Sequence, residues 1–257
     1  MSAAVVTGGS RGLGRGICTA LARHGLDVLV LHRSAASADD AEATAAACRQ
    51  LGVAAGTFAA DVCAPEQLQA AAAEAVRRFS SLHCWVNNAG VSTIAPVLAT
   101  GDDEFRRLFE INVLGVQHGM AAAVGVMADR GGGRIVNLAS DAALTSFPLL
   151  GAYAATKFAV RALTQTAAIE LAGTGITVNA VCPGTAETDM NEREWALEGA
   201  LTGADRDTVR ARYLADIPAG RFLTPDDVGE VVAWLATGAT DFITGQSICV
   251  NGATVLH

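Results

Sequence analysis

Tyr153 and Lys157 stand four residues apart, in a chain with two tyrosines and, among its 18 basic residues, a single lysine. On a helix that spacing puts two side chains about 6 Å apart along the axis and on nearly the same face. A phenol with an ordinary pKa near ~10 is a poor base at neutral pH, and a neighbouring ammonium favours the tyrosinate. Each unit of downshift raises the tyrosinate fraction about tenfold, but only a phenol within hydrogen-bond reach of the reacting oxygen can use it. Where arginine is otherwise the rule, the lone lysine points to a need for a compact ammonium with three rotatable donors rather than a planar fork. Proton transfer to or from an oxygen is the chemistry such a pair can do.

Ser140 precedes Tyr153 and closes the apolar run Arg134–Ala139. A hydroxyl at a strand end faces the ligand crevice of an open α/β sheet and can donate to an oxygen on which negative charge develops. Serine is also an ordinary turn former there. Asp141 beside it either selects a polar or cationic substrate or caps the following turn. Asn112 falls inside a helical stretch, where an asparagine alone signals no more than a bend or a polar contact.

A second constellation lies at the N-terminus, where Thr7-Gly8-Gly9-Ser10-Arg11-Gly12-Leu13-Gly14 follows one apolar run and opens a helical one. Glycines there let backbone N–H groups approach a pyrophosphate at a helix N-terminus, although G-x-x-x-G-x-G departs from the commoner G-x-G-x-x-G fingerprint. After the second apolar run stand His32, Arg33 and Ser34, where an NAD site commonly has an acidic residue for the ribose. Arg33 and Ser34, with Arg11, suit a 2′-phosphate, so NADP(H) is favoured over NAD(H).

The elements that must position these groups alternate. Strands are expected at 3–7, 27–32, 53–60, 82–87, 134–139, 176–181 and 247–250, and helices at 12–24, 37–51, 65–79, 102–127, 152–172 and 225–235. That order predicts an α/β fold, a doubly wound parallel sheet of about seven strands with helices on both faces. Gly115, Gly119 and Gly125 predict that the long fourth helix is two pieces or touches a neighbour closely. No repeat or Pro/Ser/Gly-rich linker divides residues 1–257, which reads as a single domain. Residues of about 185–220 are too many for a tight crossover, so they are expected to form a substrate-loop insertion in which Trp195 and Tyr213 approach the substrate.

Composition removes other classes. The chain is 51% hydrophobic and 17% charged with a net charge of −8, which excludes disorder and gives no field to draw nucleic acid or an anionic membrane. Six scattered cysteines without a C-x-x-C pair and five unclustered histidines predict a reduced, metal-free protein. With neither a leader nor a run of ~20 apolar residues, a soluble cytoplasmic protein is expected.

In order along the chain, Thr7 to Gly14, Asn87-Asn88-Ala89-Gly90, Asn112, Ser140, Tyr153-x-x-x-Lys157 and Pro183-Gly184 resemble the short-chain dehydrogenase/reductases over essentially the whole sequence. The resemblance implies a Rossmann-type sheet, a nicotinamide cofactor and a Ser140-Tyr153-Lys157 mechanism in which Asn112 holds a water beside the lysine. It implies cofactor contacts from Gly8, Ser10, Arg11, Gly12, Leu13 and Gly14, from Asp61 and Val62 beside the adenine, and from Asn88 and Gly90 near its ribose. Pro183, Gly184, Ala186 and Thr188 would border the nicotinamide, together with Tyr153 and Lys157. It also implies a homotetramer.

The stretches 157–166 and 241–246 are similar to the branch that acts on polyols, acetoin-like hydroxyketones and sugar alcohols. The alternatives are a 3-oxoacyl-[acyl-carrier-protein] reductase or polyketide ketoreductase, for which Arg130 and Arg134 could meet an acidic carrier, and a non-catalytic NADP(H)-sensing regulator. The intact Tyr153 and Lys157 speak for turnover.

Overall fold

The computed structural model describes residues 2–256. Seven strands form one parallel sheet: β1 (Ala3–Val6), β2 (Asp27–His32), β3 (Ala55–Ala59), β4 (Cys84–Asn87), β5 (Gly133–Leu138), β6 (Ile176–Pro183) and β7 (Ser247–Val250). Their order is β3-β2-β1-β4-β5-β6-β7. The reversal between β1 and β4 leaves a crevice at the carboxyl ends of these two strands, the place where open α/β sheets bind ligands.

Alternation along each strand feeds two cores. Ala4, Val6, Val28 and Val30 face one side, beneath α1 (Gly12–Arg23), α2 (Ala38–Gln50) and, later in the chain, α9 (Pro225–Thr237). Val5, Leu29 and Leu31 face the other, covered by α3 (Pro65–Phe79), α5 (Gly115–Met127) and α6 (Gly151–Glu170). Burial on both faces explains why the strands read as continuous apolar runs.

The long helical stretch is not divided into two pieces but runs on through a π turn. It consists of α4 (Asp102–Phe109), a π turn over Glu110–Leu114, and α5. The close contacts are there. A Cβ on Gly115 would come within 2.8 Å of Val62 Cγ2, and one on Gly119 within 2.0 Å of Asn87 Oδ1.

Residues beyond β6 fold as α7 (Asp189–Thr202) and α8 (Arg206–Ala215), started by side-chain caps from Thr188 and Asp205. They form a cap with its own small core of Trp195, Val209, Ile217 and Phe222. Glu198 joins the two helices, accepting from Tyr213 Oη at 2.9 Å and pairing with Arg212.

Candidate active site

The glycine turn and the end of β4 are sewn together at the crevice. Asn88 Nδ2 donates to the Thr7 and Gly8 carbonyls at 2.9 and 3.0 Å, and Thr7 Oγ1 accepts from the Asn88 and Ala89 amides. A Cβ on Gly14 would lie 2.2 Å from the Gly8 carbonyl oxygen, so only glycine lets the turn fold back onto α1. Across the gap stands Thr188, 3.6 Å from where a Cβ on Gly12 would point.

Arg11, the N-cap residue of α1, is extended and gives no side-chain cap, whereas α7 and α9 are capped by Thr188 and Thr224. Uncapped N–H groups at a helix start, beside a turn too tight for side chains, fit a pyrophosphate. Ser10 is buried, and its carbonyl accepts from Arg15 and Thr44. Leu13 packs against the first core.

At the end of β2, His32 Nδ1 bonds to the Ser34 carbonyl at 3.0 Å, Arg33 is exposed, and Ser34 forms a capping box with Ser37. Asp61 turns its carboxylate back to the Cys63 amide at 3.0 Å, and the Val62 carbonyl bonds to His118 Nδ1 at 3.0 Å. On the far side, Gly184 N–H pairs with the Val250 carbonyl, and Ala186 bridges Leu223 while its carbonyl accepts from Asn191 Nδ2 at 2.7 Å. Thr188 Oγ1 accepts the Asn191 amide, which leaves its own hydrogen to give.

Ser140, Tyr153, Lys157 and Asn112 converge between β5, α6 and the π turn. Ser140 lies just beyond β5, with its Oγ accepting the Ala142 amide at 3.1 Å and donating to Asp141 Oδ1 at 3.0 Å. The cap of the following turn is therefore Ser140 rather than Asp141. Asp141 is 8% exposed, and burial pushes its carboxyl above the usual range.

Tyr153 and Lys157 lie on α6, with Nζ 5.5 Å from the phenol ring centroid. Lys157 is 5% exposed and donates to the Leu138 carbonyl at 2.8 Å; burial lowers its ammonium to about 8. Burial first, then Glu194, pushes the Tyr153 phenol up, and a hydrogen bond with Ser140 opposes this. The ammonium does not dominate the phenol as the four-residue spacing alone suggested. Burial, then the carboxyl of Glu194, dominates instead.

Asn112, fully buried in the π turn, clamps the loop after β4. Its Nδ2 donates to the Val91 carbonyl at 2.8 Å and to Thr156 Oγ1 at 3.1 Å, and its Oδ1 accepts the Val91 amide at 2.9 Å. The side chain is thus occupied by the loop and α6. A Cβ on Gly90 would lie 3.3 Å from Asn112 Oδ1 and 3.7 Å from Lys157 Nζ, so all three share one corner of the site.

Of the residues expected in the insertion, Trp195 does not line the pocket. It is 1% exposed and packs in the cap core, with its ring centroid 5.2 Å from that of Phe222. Trp195 fills the space between α7 and α8 with Val209, Ile217 and Phe222. Tyr213 is half-buried at the cap margin, where burial first, and then the carboxyls of Glu194 and Asp141, push its phenol up. Glu194 itself went unnoticed in the sequence, where it is one of several acidic residues in a polar helix.

Comparisons with known proteins agree with this geometry. Residues 2–198 match the family model for short chain dehydrogenase. A diacetyl reductase [(S)-acetoin forming] from Staphylococcus epidermidis is 38% identical over 257 residues, covering 98% of each chain. An actinorhodin polyketide ketoreductase crystallised with NADPH superposes with a TM-score of 0.92 at 32% identity, covering 98% of this chain and 97% of that one. A xylitol dehydrogenase bound to NAD+ gives a TM-score of 0.92 at 31% identity, covering 98% of both chains. With the glycine turn, the nicotinamide crevice and the Ser140-Tyr153-Lys157 cluster all in place, the chain belongs to the short-chain dehydrogenase/reductase family, oxidoreductases that act on CH–OH and C=O groups.

Proposed function

We propose that this chain moves hydride between nicotinamide, NADP(H) in preference to NAD(H), and the carbonyl or secondary alcohol of a small polar substrate such as a hydroxyketone, polyol or sugar-like compound. The observation that carries the reading is the convergence of three groups: the Ser140 hydroxyl, which favours the charged form of the Tyr153 phenol, that phenol itself, and the Lys157 ammonium 5.5 Å from the phenol ring. The nicotinamide, when bound, supplies the hydride donor or acceptor. Tyr153 gives its phenolic proton to the substrate oxygen in reduction and takes it back in oxidation. Ser140, at the end of β5, orients the same oxygen and stabilises charge developing on it. Lys157, anchored by the Leu138 carbonyl, keeps a cation beside the phenol and has further donors for a ribose hydroxyl. Asn112 positions the loop that closes this corner.

The exposed Arg33 just after β2 and Arg11 at the start of α1 support the preference for NADP(H), since a guanidinium can pair with a 2′-phosphate that a carboxylate would repel. The similarity to a polyketide ketoreductase favours a second reading, a β-ketoacyl substrate on a carrier. The residues that would receive such a carrier stand at the wrong end of the sheet. Arg134 lies at the start of β5, opposite Ser140, and pairs with Asp241, and Arg130 donates to the Ser80 carbonyl.

The test is a panel of hydroxyketones, diols, sugar alcohols and a β-ketoacyl thioester, each with NADPH and NADH, followed by nicotinamide absorbance. The highest kcat/KM is expected for a hydroxylated substrate with NADPH. A dominant rate with the thioester would overturn the substrate assignment.

A further inference from the structure

The glycine turn is anchored on two sides. Toward β4 it is held by the bonds among Thr7, Gly8 and Asn88. Toward α2 the anchor is the Ser10 carbonyl, which accepts from Thr44 Oγ1 and from Arg15 Nη2, each at 3.1 Å. Arg15 closes the ring, its Nε donating to Thr44 Oγ1 at 3.1 Å and its Nη2 to the Asp40 carbonyl at 3.5 Å. Thr44 is fully buried, and the other buried residues of α2 are Ala41, Ala45 and Cys48. Small apolar side chains give a helix little to interlock with, so the directional bonds of Thr44 fix where α2 stands against the turn.

The position of α2 sets that of the residues before it. The helix runs back through a short helical turn (Ala35–Ser37) to Ser34 and Arg33, and Ser37 Oγ donates to the Ser34 carbonyl at 3.0 Å, which makes these residues one continuous unit. Arg33 follows the glycine turn by about 20 residues, the separation at which a Rossmann unit meets the 2′ position of the ribose. Arg11, the other cation proposed for a 2′-phosphate, stands on the turn itself. The two arginines therefore belong to separate elements, and Thr44 and Arg15 join those elements.

Resting on the proposed preference for NADP(H), we infer that Thr44 and Arg15 are positioning residues for coenzyme selectivity: they hold α2 against the glycine turn so that Arg11, Arg33 and Ser34 meet one 2′-phosphate. The turn that receives the pyrophosphate, common to both coenzymes, keeps its bonds to Asn88 whatever α2 does. Loosening α2 is therefore felt at the 2′-phosphate, and the cost of ordering the loosened residues is drawn from the binding of that group. The loss is at most that of one neutral hydrogen bond, about 3- to 10-fold.

The experiment measures kcat/KM for NADPH and NADH with the best substrate of the panel, and inhibition by 2′,5′-ADP and 5′-AMP, in the wild type, Thr44→Val, Thr44→Ser, Arg15→Lys and Arg33→Ala. Thr44→Val keeps the volume and removes the hydroxyl; it is expected to lower the NADPH-to-NADH ratio by about 3- to 10-fold and to weaken 2′,5′-ADP by the same factor, with 5′-AMP unchanged. Thr44→Ser keeps the hydroxyl and should retain the wild-type ratio. Arg15→Lys keeps the charge but cannot span Thr44, Ser10 and Asp40 together, and its ratio should fall as that of Thr44→Val does. An unchanged ratio in Thr44→Val, a parallel loss for both coenzymes, or an equal loss in Thr44→Ser overturns the role of Thr44, and a wild-type ratio in Arg15→Lys overturns that of Arg15. A wild type without preference for NADPH, or an undiminished preference in Arg33→Ala, overturns the NADP(H) reading itself.

Discussion

Replacing Lys157 by methionine should change how stability depends on pH, in a direction the structure fixes. The ammonium is buried, and its pKa of about 8 lies below the usual lysine value of 10.5. At 1.36 kcal/mol per pH unit this difference corresponds to about 3 kcal/mol. Below pH 8 the lysine is protonated in both folded and unfolded chains, and the folded state bears the whole cost of burying the charge. Between pH 8 and 10.5 the unfolded chain holds more protons than the folded one, so stability rises with pH until both forms are neutral. Methionine has no such dependence, and every other titrating group cancels when the two proteins are compared. The wild type should therefore gain about 3 kcal/mol on Lys157→Met across that window. At neutral pH the lost hydrogen bond to the Leu138 carbonyl offsets part of the relief, so the variant should be no less stable than the wild type by more than about 1 kcal/mol while losing most of its turnover. The assay is urea unfolding of both proteins at a series of pH values. A difference that stays flat from pH 7 to 11 would refute the reasoning, because it would mean that folding leaves the lysine titrating as it does in water.

Three further outcomes follow from other parts of the molecule. Gly119→Ala would drive a Cβ to 2.0 Å from Asn87 Oδ1, breaking a buried chain in which Trp85 donates to Asn87, Asn87 to Asn137 and Asn137 to Thr164. Overpacking with a lost buried hydrogen bond should cost about 2–5 kcal/mol, lowering Tm by about 5–15 °C in a thermal scan. Arg33→Ala should reduce the kcat/KM advantage of NADPH over NADH by about tenfold, and an unchanged ratio would show that Arg33 does not read a 2′-phosphate. Exposed Phe109, Leu114 and Phe158 on and between α4 and α6 suit a contact between copies, so light scattering should give about four times the 26.2 kDa chain mass, and a stable monomer at micromolar concentration would contradict this.

Much of this was legible in the sequence because strands buried on both faces leave unbroken apolar runs, and because glycines were required where backbones cross. Strand ends were less so. β6 extends to Pro183 because β7 pairs with it as far as Pro183 opposite Val250, a partner that no local pattern specifies. The π turn had no signal in the sequence, since it turns Asn112 toward Val91, in a loop 21 residues earlier in the chain. Trp195 and Glu194 are neighbours in sequence, and the orientation of α7 decides their roles, sending the indole into the cap core and the carboxyl toward Ser92. Polarity alone suggested the reverse, because an aromatic in an insertion resembles a pocket wall and a glutamate in a polar helix resembles a solvated face.

The most direct test of the account is single-turnover and steady-state kinetics of Tyr153→Phe on the best substrate of the panel, with cofactor affinity measured in parallel. The phenol lies beside Lys157, and its only chemical difference from phenylalanine is the hydroxyl. The account predicts that kcat falls by about 10²- to 10⁴-fold while the variant stays folded and binds cofactor with little change. Turnover within a few-fold of the wild type would contradict it, since the proton would then be carried by some group other than Tyr153.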